Sequence, residues 1–248
     1  MRRSTVVTRL LITAALLLTP GFAAGATFVV NSQLDAVDVT PGDAVCATAG
    51  AVCTLRAAVQ EANALAGVHV ITLPAGTYTL TIRGQGEFLG ATGDLNIASG
   101  KNITINGAGS ATTIIDANGI DRAFQSFGGI LTLNDLTVQN GAPVTTVNAP
   151  GGGGISMGND GNFPGQLTLT RVVVKACTSS SGSGGGGIIV FGLAASPSTL
   201  TVTDSTITQN VSGGSGGALN LSSGTTATVT RTTVSSNLGG VSPSMARP

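Results

Sequence analysis

Four segments in the second half of the chain repeat one pattern, and this repetition constrains the fold more than any other feature. They read LTLNDLTVQN, LTLTRVVVKAC, LTVTDSTITQN and ATVTRTTVSSN, and they begin at Leu131, Leu167, Leu200 and Ala227. Apolar residues alternate with Thr in each segment, which is the period of a β-strand. The starts lie 36, 33 and 27 residues apart, with glycine runs between them. Repeats of this length are typical of architectures in which each unit stacks on its neighbours.

No helical segment lies between the repeats, so an open sheet of alternating strands and helices is excluded. The strands are short and are broken by Gly, Asn and Asp, which permit tight turns. The sequence therefore predicts an all-β solenoid, with stacked parallel strands over residues 68–240. Equivalent side chains of successive turns should then align about 4.8 Å apart.

Two positions of the repeat should form ladders along such a stack. The fifth position carries charges of alternating sign, namely Asp135, Arg171, Asp204 and Arg231. Because unpaired charges facing inward would be costly, we expect the strand to end there at a bend, with each charge between opposite neighbours. The tenth or eleventh position holds Asn140, Cys177, Asn210 and Asn237. We expect the asparagines to link their amides as a ladder and Cys177 to be a small buried core residue.

The first 26 residues predict an export signal. Three arginines precede a short apolar run at 10–18, and Ala24-Gly25-Ala26 matches an A-x-A cleavage site. A membrane anchor is the alternative, but the run is shorter than the roughly 20 residues that a spanning helix needs. We therefore expect residues 1–26 to be a signal peptide that is removed after Ala26.

The remaining 222 residues carry 11 acidic and 8 basic side chains, a net charge of −3. This balance argues against a nucleic-acid partner, since such proteins present a basic patch. No other stretch of the mature chain predicts a transmembrane span.

One stretch, AVCTLRAAVQEANALAG at 51–67, has helical periodicity. Leu55, Val59 and Ala62 fall on one face, with Thr54 as the N-cap and Gly67 as the C′ residue. We expect a short amphipathic helix over about 54–66 that closes the first turn of the stack as a cap. The polar residues of this helix are expected to face mostly outward, namely Arg56, Gln60, Glu61 and Asn63.

Cys53 at the start of this helix has two interpretations. It could be a nucleophile activated by the helix N-terminus, or half of a disulfide with Cys46, which lies seven residues earlier. A nucleophile needs a base, and the single histidine, His69, lies in a strand pattern. We expect the disulfide, because an exported protein meets an oxidising environment.

The motif Cys53-Thr54-Leu55-Arg56-Ala57-Ala58, followed by VQEAN, resembles the CSLREA-type N-terminal motif of secreted bacterial right-handed parallel β-helix proteins. It departs from that motif at Thr54, Ala57 and Ala58. The GGGGI…LTLT…N repeats also look like those of polymorphic outer-membrane and pectate-lyase-like β-helices. The resemblance covers nearly the whole mature chain and implies a right-handed parallel β-helix that is secreted or held at the cell surface or outer membrane.

Members of this family often carry a C-terminal anchoring domain. Here an unpatterned tail, 241–248, follows the last repeat, so we expect a truncated member. Residues 27–67 are then expected to form an N-terminal strand, an acidic loop and the capping helix.

Few residues suggest catalysis. Asp116, Asp121 and Arg122 in IIDANGIDRAF form the best polar cluster for acid–base chemistry, although turn formation explains Asp116 equally well. These three residues are the catalytic candidates of the sequence. Paired carboxylate motifs of the kind that hydrolases of this fold use are absent from the sequence.

Asp35, Asp38 and Asp43 are spaced like a loop that could hold calcium. A solvated acidic loop is the other interpretation, since no twelve-residue pattern with a central glycine follows. MGNDGN at 157–162 resembles a calcium nonapeptide, but it occurs once and that motif works by repetition. We expect no cofactor, with calcium as the alternative.

The sequence is compatible with two main functions. The first is an exported, non-catalytic β-helix whose surface serves adhesion or contact with an extracellular glycan or a host or cell-surface component. The second is a polysaccharide lyase or hydrolase of the pectate-lyase-like fold. A minor third is ice binding through two outward threonine files, which comprise Thr168/Thr170, Thr201/Thr203 and Thr228/Thr230.

Overall fold

The computed structural model describes residues 25–143, 151–158, 164–180 and 184–240. Within them the chain forms one helix, α1 (Leu55–Ala64), and 21 short strands. The first ten strands are β1 (Thr27–Val29), β2 (Val68–Leu73), β3 (Gly76–Thr79), β4 (Leu95–Ile97), β5 (Asn102–Gly107), β6 (Thr113–Asp116), β7 (Phe124–Ser126), β8 (Ile130–Asn134), β9 (Thr137–Gln139) and β10 (Ile155–Met157). The others are β11 (Gln166–Thr170), β12 (Val173–Lys175), β13 (Thr178–Ser179), β14 (Ile188–Val190), β15 (Ser198–Thr203), β16 (Thr206–Thr208), β17 (Val211–Ser215), β18 (Leu219–Leu221), β19 (Thr225–Thr230), β20 (Thr233–Ser235) and β21 (Leu238–Gly240).

These strands form four sheets, and the pairings between them are parallel. Sheet A has the order β1-β2-β5-β8-β11-β15-β19, and sheet B has the order β3-β6-β9-β12-β16-β20. Sheet C has the order β4-β7-β10-β14-β18, and sheet D is β13-β17-β21. From β2 onward, each of six successive turns of the chain adds one strand to sheet A and then one to sheet B, and the first five turns also add a strand to sheet C. The last three turns add a strand to sheet D after sheet B. The predicted all-β fold with parallel sheets is confirmed.

The four sequence repeats lie in register in sheet A. Leu131 is paired with Leu167, Leu167 with Leu200, and Leu200 with Ala227. Alternate residues of these strands face a continuous apolar core, in which Leu169 and Val202 are fully buried. Burial of each such side chain contributes about 1.5–3 kcal/mol. The period-two pattern therefore marks the inward face of the sheet.

The strands of sheet A end at a bend, as the sequence predicts. The next residue has a positive φ in four successive repeats, and these residues are Asp135 (56°), Arg171 (55°), Asp204 (52°) and Arg231 (47°). A left-handed backbone turns the chain sharply and directs these side chains away from the core. The charges are therefore spared the cost of burial.

The structure corrects the predicted asparagine ladder. A second left-handed position follows β9, β12, β16 and β20, at Asn140, Ala176, Gln209 and Ser236. Asn140 thus lies at the bend, one position before Cys177, Asn210 and Asn237. Its amide instead donates to Asp116 at 3.0 Å. Among the four residues of the predicted ladder, an amide–amide bond forms only from Asn210 Nδ2 to Asn237 Oδ1, also at 3.0 Å.

The helix α1 packs against β2 and β4 at the N-terminal end of the sheets. The Thr54 side chain caps it by accepting from the Ala57 N–H at 3.1 Å. Leu55, Val59 and Ala62 belong to the buried core. The C-cap is Leu65, so the C′ position falls on Ala66 rather than on the predicted Gly67. Among the described residues, no helix has the length and apolar character to cross a membrane.

Candidate functional site

The disulfide between Cys46 and Cys53 is present, with an S–S distance of 2.01 Å. Cys53 therefore has no free thiol, which removes the nucleophile interpretation. Cys177 is free and buried. Burial raises the pKa of Cys177 to about 12, so the thiol stays protonated and unreactive at neutral pH.

The polar residues of α1 do not face outward as the periodicity predicts. Arg56 is 1% exposed, and its Nε donates to Asp35 Oδ1 at 2.6 Å. Its two terminal nitrogens donate to the carbonyl oxygens of Gly90 and Gly93, each at 2.8 Å. The segment before the helix and a loop after it cover this face, so the guanidinium is buried among fixed acceptors.

Gln60 and Glu61 are buried for a related reason. Gln60 Oε1 accepts from the Asp38 N–H at 2.9 Å, and Glu61 accepts from the backbone N–H groups of Gly42 and Ala44. These bonds tie the acidic loop down onto the helix. The polar face of α1 therefore binds backbone rather than water.

The predicted calcium candidates are likewise used in hydrogen bonds with the protein. Besides binding Arg56, Asp35 accepts from the backbone of Thr81 and Ile82. Asp38 and Asp43 each accept from a backbone N–H two residues on. In the described parts of the chain, no group of three His, Cys, Asp or Glu residues could hold a metal ion. MGNDGN lies partly outside the described residues.

The three predicted catalytic candidates do not all meet. Asp116, at the end of β6, accepts from the Asn118 N–H and from the side chains of Gln139 and Asn140. These contacts agree with the other interpretation of Asp116 in the sequence analysis, namely that it stabilises a turn. Asp121 and Arg122 lie elsewhere, just before β7.

Asp121 and Arg122 join two residues that sequence reasoning missed. Arg122 Nη1 donates to Asp94 Oδ2 at 3.3 Å and to Gln125 Oε1 at 2.7 Å. Asp121 Oδ1 accepts from the Arg122 N–H at 2.8 Å. We call Asp94, Asp121, Arg122 and Gln125 the Arg122 cluster, and each of them is less than 8% exposed. The sequence held a weak signal for this contact. Asp94 lies just before β4, Arg122 lies just before β7, and these two strands are neighbours in sheet C.

Electrostatics make this cluster unusual. Burial raises the pKa of Asp94 to about 7, against the opposing attraction of Arg122, and the nearby Asp121 and Glu87 raise it further. Burial also raises the pKa of Asp121. Asp94 therefore holds its proton up to about neutral pH, and a protonated carboxyl group can act as an acid or as a hydrogen-bond donor.

The cluster is also incompletely hydrogen-bonded. Arg122 is 2% exposed, yet its Nε and Nη2 have no hydrogen-bond partner. Ser156 is fully buried, and its Oγ has no partner either. Ser156 lies beside Gln125 in sheet C, because β10 pairs with β7 in that register. Buried polar atoms normally find partners, so this concentration calls for an explanation.

The outward face of sheet A is a second candidate surface. One row across five strands is all threonine: Thr104, Thr132, Thr168, Thr201 and Thr228. The row on one side of it comprises Asn106, Asn134, Thr170, Thr203 and Thr230. The row on the other side comprises Asn102, Ile130, Gln166, Thr199 and Thr226. These three rows carry no charge, and they place hydroxyl and amide groups at intervals of about 4.8 Å.

Charged side chains flank this face. Arg171 Nε donates to Asp135 Oδ1 and Arg231 Nε to Asp204 Oδ1, each at 2.6 Å. The predicted ladder therefore consists of two forked pairs, because each guanidinium fork engages one carboxylate. The hydrogen bonds from arginine lower the pKa of Asp135 and of Asp204. A shallow groove of about 490 Å³ runs beside the pairs.

Comparison of the sequence with protein-family models, with curated proteins and with solved structures finds no match in any of the three.

Proposed function

We propose that the protein is an exported, non-catalytic, right-handed parallel β-helix that contacts neutral glycans at the cell envelope through the outward face of sheet A. Two features support the β-helix: the return of the chain to sheets A and B in each described turn, and the strong preference of parallel crossovers for the right hand. The resemblance of the Cys53–Ala58 motif to CSLREA-type proteins supports export. The Cys46–Cys53 disulfide is consistent with an oxidising environment.

The observation that carries the function is the uncharged, regular face of sheet A. Its rows of Thr and Asn extend over five strands, about 19 Å along the stack. A glycan chain also presents hydroxyl groups at regular intervals, so a rigid array of hydroxyls and amides can meet several sugar units at once. These rows hold no charged side chain, so no ion of the protein has to lose its water when a neutral polymer binds.

The test is binding of the mature protein to a glycan array, followed by titration of the best neutral polymer. The double variant Thr168→Val/Thr201→Val keeps the shape of two central side chains and removes their hydroxyls. We expect an affinity loss of about tenfold, since each lost hydrogen bond contributes about 0.5–1.5 kcal/mol. Thr77→Val/Thr208→Val in sheet B is the matched control and should bind like the parent. The proposal would be contradicted if no neutral glycan on the array bound the protein, or if both double variants lost affinity equally.

A polysaccharide lyase or hydrolase is the second candidate, and the raised pKa values of Asp94 and Asp121 favour it. A lyase would release unsaturated sugars that absorb in the ultraviolet, and a hydrolase would release reducing ends. Loss of either product on Asp94→Asn would support an enzyme over a binding protein.

A further inference from the structure

The outward face of sheet C carries polar side chains on three adjacent strands. Asn96, Gln125 and Ser156 occupy equivalent positions of β4, β7 and β10. Asn96 is internally satisfied, because its amide donates to Asp94 at 3.0 Å and its oxygen accepts from the Gly90 N–H at 2.9 Å. The unpartnered atoms of this face are Ser156 Oγ on β10 and Nε and Nη2 of Arg122, just before β7.

We propose that Arg122, Gln125 and Ser156 form a binding site for a single neutral sugar residue or a comparable polyol, with Asp94 and Asp121 as acceptors. Nε and Nη2 share one edge of the guanidinium, so two neighbouring oxygen atoms of a ligand can accept from them together. Ser156 Oγ adds a hydroxyl about one strand spacing, roughly 4.8 Å, beyond Gln125. One ligand with several hydroxyl groups accounts for the three unpartnered atoms of Arg122 and Ser156.

The charges of the cluster select a neutral ligand. Burial raises the pKa of both Asp94 and Asp121 beside Arg122, which shows that this site disfavours additional negative charge. A carboxylate or phosphate would add another negative charge to this buried group. A sugar hydroxyl can accept from Arg122 and donate to a carboxylate, which matches both kinds of group present.

A glycine-rich loop borders the site. Its ends meet where the Gly93 N–H donates to the Ile82 carbonyl at 2.8 Å, and a Cβ at Gly93 would lie 2.9 Å from Asp121 Oδ2. Phe88 at the tip of this loop stays 60% exposed while its ring contacts Phe127. Asp121 and Gln125 are only 5% and 7% exposed, so a ligand reaches them only when neighbouring segments move, and the loop beside Asp121 is one of these segments.

The experiment is thermal unfolding of the mature protein with glucose, galactose, mannose or galacturonate. A ligand that binds only the folded state raises the Tm, so we expect at least one neutral sugar to raise it and galacturonate to raise it less. Ser156→Ala removes an unpartnered hydroxyl. It should leave the Tm without sugar unchanged or higher and abolish the sugar-dependent rise. Ile189→Val, at the next position of sheet C, is the matched control and should keep that rise.

Three results would overturn the proposal: no neutral sugar raises the Tm, galacturonate raises it as much, or Ser156→Ala keeps the full rise. The site is independent of sheet A. Ser156→Ala should therefore leave polymer binding intact, and Thr168→Val/Thr201→Val should leave the monosaccharide effect intact.

Discussion

At the scale of single residues, Arg56 joins three parts of the N-terminal region. It lies on α1, pairs with Asp35 before the helix, and binds the Gly90 and Gly93 carbonyls beyond it. A buried charge is tolerated only when its partners are in place, and here all three guanidinium nitrogens donate. The arginine of the motif at 53–58 is therefore structural.

Replacing Arg56 should destabilise the protein strongly. Arg56→Met leaves the Asp35 carboxylate, whose side chain is 2% exposed, without its counter-ion. We expect the free energy of unfolding in urea to fall by about 3–5 kcal/mol. Arg83→Met, at an exposed position, is the control and should stay within about 0.5 kcal/mol of the parent. Equal stability of the two variants would show that the buried contacts of Arg56 contribute nothing.

Asp94 should make stability fall as the pH rises. Its pKa is raised by burial from 3.8 to about 7, so folding favours the protonated form. The stabilisation from this proton is fully present below about pH 4 and is lost as the pH rises towards 7. The free energy of unfolding should fall by on the order of 4 kcal/mol at most over this range. Urea unfolding across this range should show the decline, and Asp94→Asn should reduce it. The lowered pKa values of Asp135 and Asp204 act only at more acidic pH. A profile that is flat, or is unchanged in Asp94→Asn, would contradict this assignment.

At the scale of elements, the strands of sheet A were predictable because one buried face leaves a period of two in the sequence. The bends at Asp135 and Arg171 were predictable because charges recur there. The prediction for the asparagine ladder was wrong at Asn140. This residue lies at the second bend, one position before the other members of the ladder, and the place of that bend could not be judged without the strand pairing. The contacts between Asp35 and Arg56 and between Asp94 and Arg122 span 21 and 28 residues, beyond any local pattern.

One repeat position should show how much the stacking of strands contributes to the stability of the fold. Val202 of β15 is fully buried, whereas the equivalent Val229 of β19 is 42% exposed at the last strand of sheet A. Val202→Ala removes two buried methyl groups and should cost about 2 kcal/mol of unfolding free energy. Val229→Ala should cost less than about 1 kcal/mol, because much of that surface already meets solvent. Equal losses would mean that another molecule or segment covers β19.

At the scale of the whole molecule, the stack of sheet A begins with β1 and depends on the residues just before it. The Ala26 carbonyl accepts from the Val70 N–H at 2.9 Å, and the Ala26 N–H donates to Nδ1 of the buried His69 at 3.1 Å. Gly25 packs so closely on Val68 that a Cβ would lie 1.7 Å from its carbonyl oxygen. Cleavage after Ala26, as the A-x-A pattern predicts, would remove both partners, whereas cleavage before Gly25 would keep them.

Two versions of the protein, one beginning at Gly25 and one at Thr27, test this dependence. Without Ala26, the Val70 N–H and the His69 ring each lose a partner, and an unpaired buried polar group costs about 1–3 kcal/mol. We expect the version that begins at Thr27 to unfold about 5–10 °C lower in a thermal melt. We therefore expect any form of the protein that is processed at its N-terminus to retain Ala26, which its intact mass would reveal. A mature mass that begins at Thr27, together with equal Tm values, would show that β1 needs nothing on its N-terminal side.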